Sequence, residues 1–285
     1  MNITSRGKSK MGNVFVLLGV LIAVIWAFSP FYWAIISSFK LPEDTFTISY
    51  IPFFQFKPTL QNWINEINFR GREIWNGIKN SIIVSISASL LAIFLGTMAG
   101  YALARFNFQK MKNKDIAVFF LSQRILPPVV MVIPFFLIMK SLKLLDTRLA
   151  LILINTVFSL PFAVLIMRSI FKELPAELEE AALVDGCSRY SAFLRVLLPL
   201  AIPGLVATGM ICFAFTWNEF LFALVLTYKK AVTMPIVIAG TAHTRGVDFW
   251  YVATRSLFAI IPPTVIAIAL QKFIVRGLTF GAVKG

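Results

Sequence analysis

The stretch VFVLLGVLIAVIWAFSPFYWAIISSF, residues 14–39, contains no charged residue. A helix needs roughly 20 predominantly apolar residues to cross about 30 Å of hydrocarbon. This block exceeds that length. It is too long for the core of a signal peptide and has no small-residue cleavage site, so it reads as an uncleaved membrane span. Comparable apolar blocks follow at about 77–104, 116–139, 149–167, 200–228 and 252–275. Only helices or closed barrels satisfy their backbone in lipid, and these blocks do not alternate as barrel strands do. The expected fold is therefore an all-α polytopic membrane protein with six transmembrane helices.

Composition agrees. Hydrophobic residues make up 58% of the 285 and charged residues 14%, against about 25% charged in a soluble domain. No room remains for a large soluble domain. The net charge of +14 raises the question of nucleic acid. However, Lys and Arg sit between the apolar blocks rather than on one stripe, so no nucleic-acid partner is expected and membrane lipid is. Cys187 falls in a polar loop and Cys212 in an apolar block, which excludes a disulfide framework. With His243 the sole histidine, no metal site is expected. Gly7-Lys8-Ser9 echoes the end of a phosphate-binding loop, but Asn2 stands where the first glycine belongs and no strand precedes it. No cofactor and no enzymatic activity are expected in this chain.

Six spans put both termini on one side. The segments facing the cytoplasm under a termini-inside arrangement carry slightly more Lys and Arg than the outer loops. Arg6, Lys8 and Lys10 precede the first span with no acid nearby, whereas Glu43 and Asp44 balance Lys40 after it. The expected organisation is a cytoplasmic N-terminal tail (1–12), a six-helix membrane domain (13–275) and a cytoplasmic C-terminal tail (276–285). The first outer loop, about 40–75, carries Phe46, Tyr50, Phe53, Phe54, Phe56, Trp63 and Phe69, a composition suited to an interfacial aromatic belt.

One cytoplasmic loop, 168–199, differs from the rest. It carries Glu173, Glu177, Glu179, Glu180 and Asp185 and reads as two short helices. The first begins at Pro175, with Glu177 enriching its acidic start. Leu178, Ala181, Ala182 and Leu183 form its apolar side. Gly186 can take the left-handed conformation that ends a helix. The second runs from Ser188, an N-cap residue, towards Pro199, with Phe193, Leu194, Leu197 and Leu198 on its apolar side. Such a knob suits docking to a partner through acids and an apolar stripe. The alternative is an amphipathic loop lying on the bilayer, although anionic lipid would repel the acids.

Glu180-Ala181-Ala182, three residues, Gly186, nine residues, then Val196-Leu197-Leu198-Pro199 resembles the EAA loop of ABC importer permeases, with Val196 where that family has Ile. Trp217-Asn218-Glu219-Phe220, Leu126-Pro127-Pro128 with Ile133-Pro134, and the tail from Arg276 to Gly285 are similar to segments of the carbohydrate branch, in particular the second permease of maltose-type systems. The resemblance implies a bacterial inner-membrane subunit with the type I permease fold, whose loop is a coupling helix seated in a cleft of an ATPase subunit. It points to Glu180, Ala181, Ala182, Asp185, Gly186 and Pro199 as the coupling residues. It also implies a second homologous permease, two ATP-binding cassette subunits, an extracytoplasmic sugar-binding protein, and import of an oligosaccharide, disaccharide or related polyol.

Arg124, Asn218 and Glu219 fall inside expected spans. A central charge costs roughly 2.5–3.5 kcal/mol on insertion scales, so it faces a partner or a wet cavity. The three residues are candidates for the translocation pathway, where hydroxyls need amide and carboxylate partners. A structural interhelical bond or ion pair is the alternative. Pro127-Pro128 and Pro262-Pro263 are expected to kink their helices. A stand-alone secondary transporter would need inverted repeats and ion-coupling residues. An intramembrane enzyme would need a serine–histidine pair or a zinc site with two histidines on one helix.

Overall fold

The computed structural model describes residues 10–243 and 246–279. The elements are α1 (Lys10–Ser38), α2 (Pro42–Thr45), α3 (Gln61–Arg105), α4 (Asn113–Ser122), α5 (Pro128–Ser141), α6 (Arg148–Glu173), α7 (Ala176–Val184), α8 (Arg189–Ala192), α9 (Leu198–Trp217), α10 (Leu221–Leu226), α11 (Met234–Ala239) and α12 (Phe249–Thr279). A π-turn, Phe193–Leu197, joins α8 to α9. Strands β1 (Ala242–His243) and β2 (Gly246–Val247) form a two-residue antiparallel pairing. The protein is an all-α polytopic membrane protein.

Among the described residues, five helical runs are long and apolar enough to cross a membrane: α1, α3, α6, the continuous run from α8 to α9, and α12. The expected third span is instead two shorter helices, α4 and α5, with a turn between them. The cause is Pro127-Pro128. Pro128 has no N–H to continue a helix, and its ring drives Pro127 into extended backbone, φ −63° and ψ 128°. The expected fifth span also breaks: α9 ends at Trp217 and α10 starts at Leu221. By contrast, α12 runs through Pro262 and Pro263 as one helix.

Two further boundaries differ from expectation. Helix α3 starts at Gln61, so the second half of the supposed outer loop is helical. Polar helical turns leave no mark in an apolar-block reading. The second helix of the knob does not stop at Pro199 but continues into α9. Pro199 cannot donate to a preceding carbonyl, and just before it the ladder shifts to π spacing, with the Leu198 N–H donating to Phe193 O. The end of the C-terminal tail, residues 280–285, and the basic residues Arg6 and Lys8 lie outside the described residues.

The chain divides into two compact units. The first comprises residues 1–71 and 240–258. Its centre is a buried ion pair: Arg255 Nε and Nη2 donate to the two Glu66 carboxylate oxygens at 2.7 and 3.1 Å. Two-point geometry of this kind is what allows charges to be buried together. Asn62 Nδ2 donates to Ser38 O and Lys40 O, tying α3 to the end of α1. The Lys40 ammonium lies 5.2 Å from the Phe56 ring centroid, so Phe56 is buried here, whereas Phe53, Phe54 and Phe69 are exposed as a belt requires.

The second unit comprises residues 72–239 and 259–285. Helices α3, α6 and α9 pack through small residues, as membrane helices do when backbones must come close. A Cβ on Gly96 would lie 2.4 Å from Ala163 Cβ, and one on Gly100 2.8 Å from Met167 Cβ. One apolar cluster gathers Leu151, Ile154, Phe222 and Leu226; another gathers Tyr101, Met167, Phe171, Phe193 and Leu197. The second cluster forms the base of the knob.

Candidate coupling knob and translocation cavity

Helix α7 follows Pro175, whose extended backbone sets the entry angle, and carries Glu177 and Glu179 in its first turn. It ends on a glycine. Gly186 has φ 87°, its N–H donates to Leu183 O at 3.1 Å, and the Cys187 N–H donates to Ala182 O at 3.0 Å. These two bonds are the pair that closes a helix on a left-handed residue. Asp185 occupies the C-cap position, its N–H donating back to Ala181 O. Ser188 then caps α8, its hydroxyl accepting from the Ser191 N–H at 3.2 Å. The helix–glycine–helix knob is thus built as its residue types dictate.

The residues expected on the apolar side of α7 differ in burial. Ala182 is buried, but Leu178 and Ala181 are exposed. The buried acid is Glu179: Tyr101 Oη donates to Glu179 Oε1 at 2.7 Å, and Arg105 Nε lies 3.2 Å from Oε2. Glu180, one position on, turns about 100° away. It is exposed, and its side chain makes no hydrogen bond or ion pair among the described residues. The knob also exposes Val184, one turn further along α7, and Tyr190 on α8, 87% and 70% accessible. Pro199 is exposed in the first turn of α9.

The intramembrane candidates gather at the two helix breaks. Asn218 and Glu219 do not sit side by side on a helix. Asn218 is the C-cap of α9 and its Nδ2 donates back to Ala214 O at 2.8 Å. The Glu219 carboxylate accepts from the Phe222 N–H at 2.7 Å and the Ala223 N–H at 3.1 Å, covering donors at the start of α10. Arg124 lies in the turn between α4 and α5. Its guanidinium stacks 3.9 Å from the Phe162 ring centroid and 5.6 Å from that of Phe215, and Nη1 donates to Phe158 O at 3.1 Å.

Arg124 and Glu219 line one cavity of about 390 Å³, together with Asn155, Ser159, Phe158, Phe215, Phe220 and Phe222. Asn218 does not line it. Polar donors and acceptors set among flat aromatic faces can hold a hydroxyl-rich ligand. Asn155 and Ser159 escaped the sequence reading, although polar residues inside an apolar block are the signal for them.

The family of binding-protein-dependent transport system inner membrane components matches residues 92–280. The chain belongs to this family. The permease is 35% identical over 281 residues to the probable ABC transporter permease protein y4oR of Sinorhizobium fredii, covering 99% of this chain and 98% of that protein. It is 32% identical over 275 residues to the trehalose/maltose transport system permease protein MalG of Thermococcus litoralis, covering 96% and 97%. Among solved structures it is similar to a chain of a bacterial ABC transporter involved in the import of the acidic polysaccharide alginate. That match has a TM-score of 0.72 and 20% identity, and covers 95% of this chain and 99% of that one. The permease is accordingly a multi-pass inner-membrane transport component with the ABC importer permease fold.

Proposed function

We propose that this permease is one of two homologous membrane subunits of an ATP-driven importer for a carbohydrate, coupled through the α7–α8 knob to a separate ATPase subunit. The observation that carries the coupling is the knob itself. It is a glycine-closed pair of helices that presents an unpaired acid, Glu180, with Val184 one turn on and Tyr190 of α8 also exposed. An exposed acid with exposed apolar side chains on the same knob fits a basic, partly apolar cleft. Glu180, Ala181, Asp185 and Gly186 face that cleft, while Ala182 and Pro199 shape the knob behind them.

The carbohydrate reading draws support from relatives named for trehalose/maltose, diacetylchitobiose and trehalose transport, and from the aromatic and polar lining of the Arg124–Glu219 cavity. A binding protein on the outer side delivers the sugar, and the pathway is completed by the second permease. Both termini and the knob lie in the cytoplasm, with six crossings in which α4 and α5 together make the third.

Reconstitution tests this reading. The purified chain alone in liposomes should take up no sugar, and uptake should need the second permease, the ATPase subunit and ATP. Uptake by the chain alone under an ion gradient would favour a secondary transporter and overturn the proposal. For orientation, Cys212 is first replaced and Cys187 probed with a membrane-impermeant thiol reagent. Labelling in spheroplasts would place the knob outside.

A further inference from the structure

Glu179, Tyr101 and Arg105 form a buried link between the knob and the C-terminal end of α3. Tyr101 and Arg105 are one helical turn apart on α3, so both side chains leave the same face. Tyr101 Oη donates to Glu179 Oε1 at 2.7 Å and Arg105 Nε pairs with Oε2 at 3.2 Å. Arg105 Nη2 also donates to Leu174 O at 2.8 Å, in the turn from α6 to α7. The Tyr101 ring lies 4.6 Å from that of Phe193 on the π-turn and 5.6 Å from that of Phe171 on α6. Arg189 of α8 stacks 5.3 Å from the ring of Phe106, the residue that follows α3. Helix α7, the turn before it and the π-turn therefore touch the end of α3, and α8 touches the residue just after it.

The acid at the centre of this link is almost fully buried and faces away from the exposed surface that carries Glu180. Removing either partner of a buried pair leaves a charge without its counter-charge, so the joint resists being opened. A knob displaced by a partner must then either carry α3 along or break an ion pair and two hydrogen bonds.

We infer that Glu179 is the positioning residue that converts displacement of the knob into movement of α3, whereas Glu180 holds the ATPase subunit. This rests on the coupling role proposed above. The two acids are adjacent in sequence but have separate tasks, set by the roughly 100° between neighbouring helical positions.

The test uses the complete importer in nanodiscs, with Cys187 and Cys212 replaced and a reporter, Asn76→Cys, at an exposed position on α3. The readout is the labelling rate of that cysteine with and without Mg-ATP. With Glu179 intact, nucleotide changes the rate. In Glu179→Gln the ATPase subunit should remain stoichiometric and hydrolyse ATP, but the nucleotide effect on labelling should shrink roughly fivefold or more, as lost coupling between sites requires. Arg105→Lys, which keeps the charge but loses the second contact to Leu174 O, should retain an intermediate response. An unchanged response in an assembled Glu179→Gln complex overturns the inference. Should that variant fail to assemble, Tyr101→Phe, which removes one hydroxyl, decides in the same way. If the unmutated chain captures no ATPase subunit, the importer reading itself falls, and the joint falls with it.

Discussion

Both carboxylate oxygens of Asp146 accept the backbone N–H of Lys230, each at 2.9 Å. Oδ1 also accepts from Tyr228, Lys229 and Ala231 at 3.1–3.2 Å, and the Asp146 N–H donates to Leu226 O at 2.8 Å. One side chain in the α5–α6 loop, held at φ 56°, thus folds the chain that follows α10 around itself. Burial pushes the Asp146 carboxyl up, but the N–H donors of Lys230, Lys229, Ala231 and Tyr228 outweigh it and hold the group below the ordinary carboxylate range.

A carboxyl with a depressed folded pKa stabilises above its unfolded value, about 3.9, and the contribution is lost as pH falls through the folded value. The clamp should therefore be intact at neutral pH and release only below about pH 4. Asp146→Ala leaves several backbone donors without an acceptor and should cost on the order of 1–3 kcal/mol. Asp146→Asn keeps one acceptor oxygen and should cost less. Hydrogen exchange at residues 228–231 reads the effect directly. Exchange in Asp146→Ala that matches the native chain at pH 7 would show that the clamp does not hold the loop.

Arg124 contributes a plane as well as a charge. It stacks on Phe162 while donating to Phe158 O. Lysine offers the charge without the flat guanidinium or the fork of donors. Arg124→Lys should therefore lower transport by roughly tenfold, the equivalent of about 1–2 kcal/mol of lost stacking and positioning, while the complex still assembles. Uptake normalised to assembled complex measures it. Full transport in Arg124→Lys would mean that charge alone matters at this turn.

Glu219 has two separable jobs, closing the start of α10 and lining the cavity. Glu219→Ala should lower stability by about 0.5–2 kcal/mol through loss of the cap. Glu219→Gln retains an acceptor and should recover most of it. Thermal denaturation of the assembled complex separates the two variants. If Gln restores stability while transport stays low, the carboxylate charge serves the pathway; if both recover together, Glu219 acts through structure only.

The legible parts of this molecule were those written in local pattern. Long apolar blocks located the long helices, and Pro175, Gly186 and Ser188 marked the ends of α7 and α8, because caps and left-handed glycines are set by neighbouring residues alone. Pro127-Pro128 signalled a disturbance but not a complete break. What escaped notice depends on contacts distant in sequence. Glu66 and Arg255 are 189 positions apart, and nothing local marks them as a pair. Within the run Glu177–Asp185, the resemblance pointed to the acids Glu180 and Asp185, yet the acid buried against Tyr101 and Arg105 is Glu179. Which of two adjacent acids faces inward depends on how α7 lies against α3, and that orientation is a tertiary fact.

The proposed coupling role of the knob rests on Gly186 and Glu180 together. Gly186 holds φ 87°, and a Cβ there would meet nothing within 4 Å. A side chain at this position is therefore opposed by backbone strain rather than by a clash. A β-branched residue in left-handed backbone costs roughly 1–2 kcal/mol or more, whereas Asn tolerates it. Gly186→Val should distort the angle between α7 and α8 while Gly186→Asn largely preserves it, and both should insert normally, because the spans are untouched. Glu180→Ala removes the exposed acid and should cost the proposed charge-assisted bond to the ATPase subunit, about 1.5–3 kcal/mol, which is roughly tenfold or more in affinity. Co-purification of the ATPase subunit, followed by hydrolysis and uptake in proteoliposomes, should show reduced attachment or uncoupled hydrolysis for Glu180→Ala and Gly186→Val and near-native behaviour for Gly186→Asn. Stoichiometric ATPase subunit and undiminished transport in both Glu180→Ala and Gly186→Val would mean that force enters the permease elsewhere.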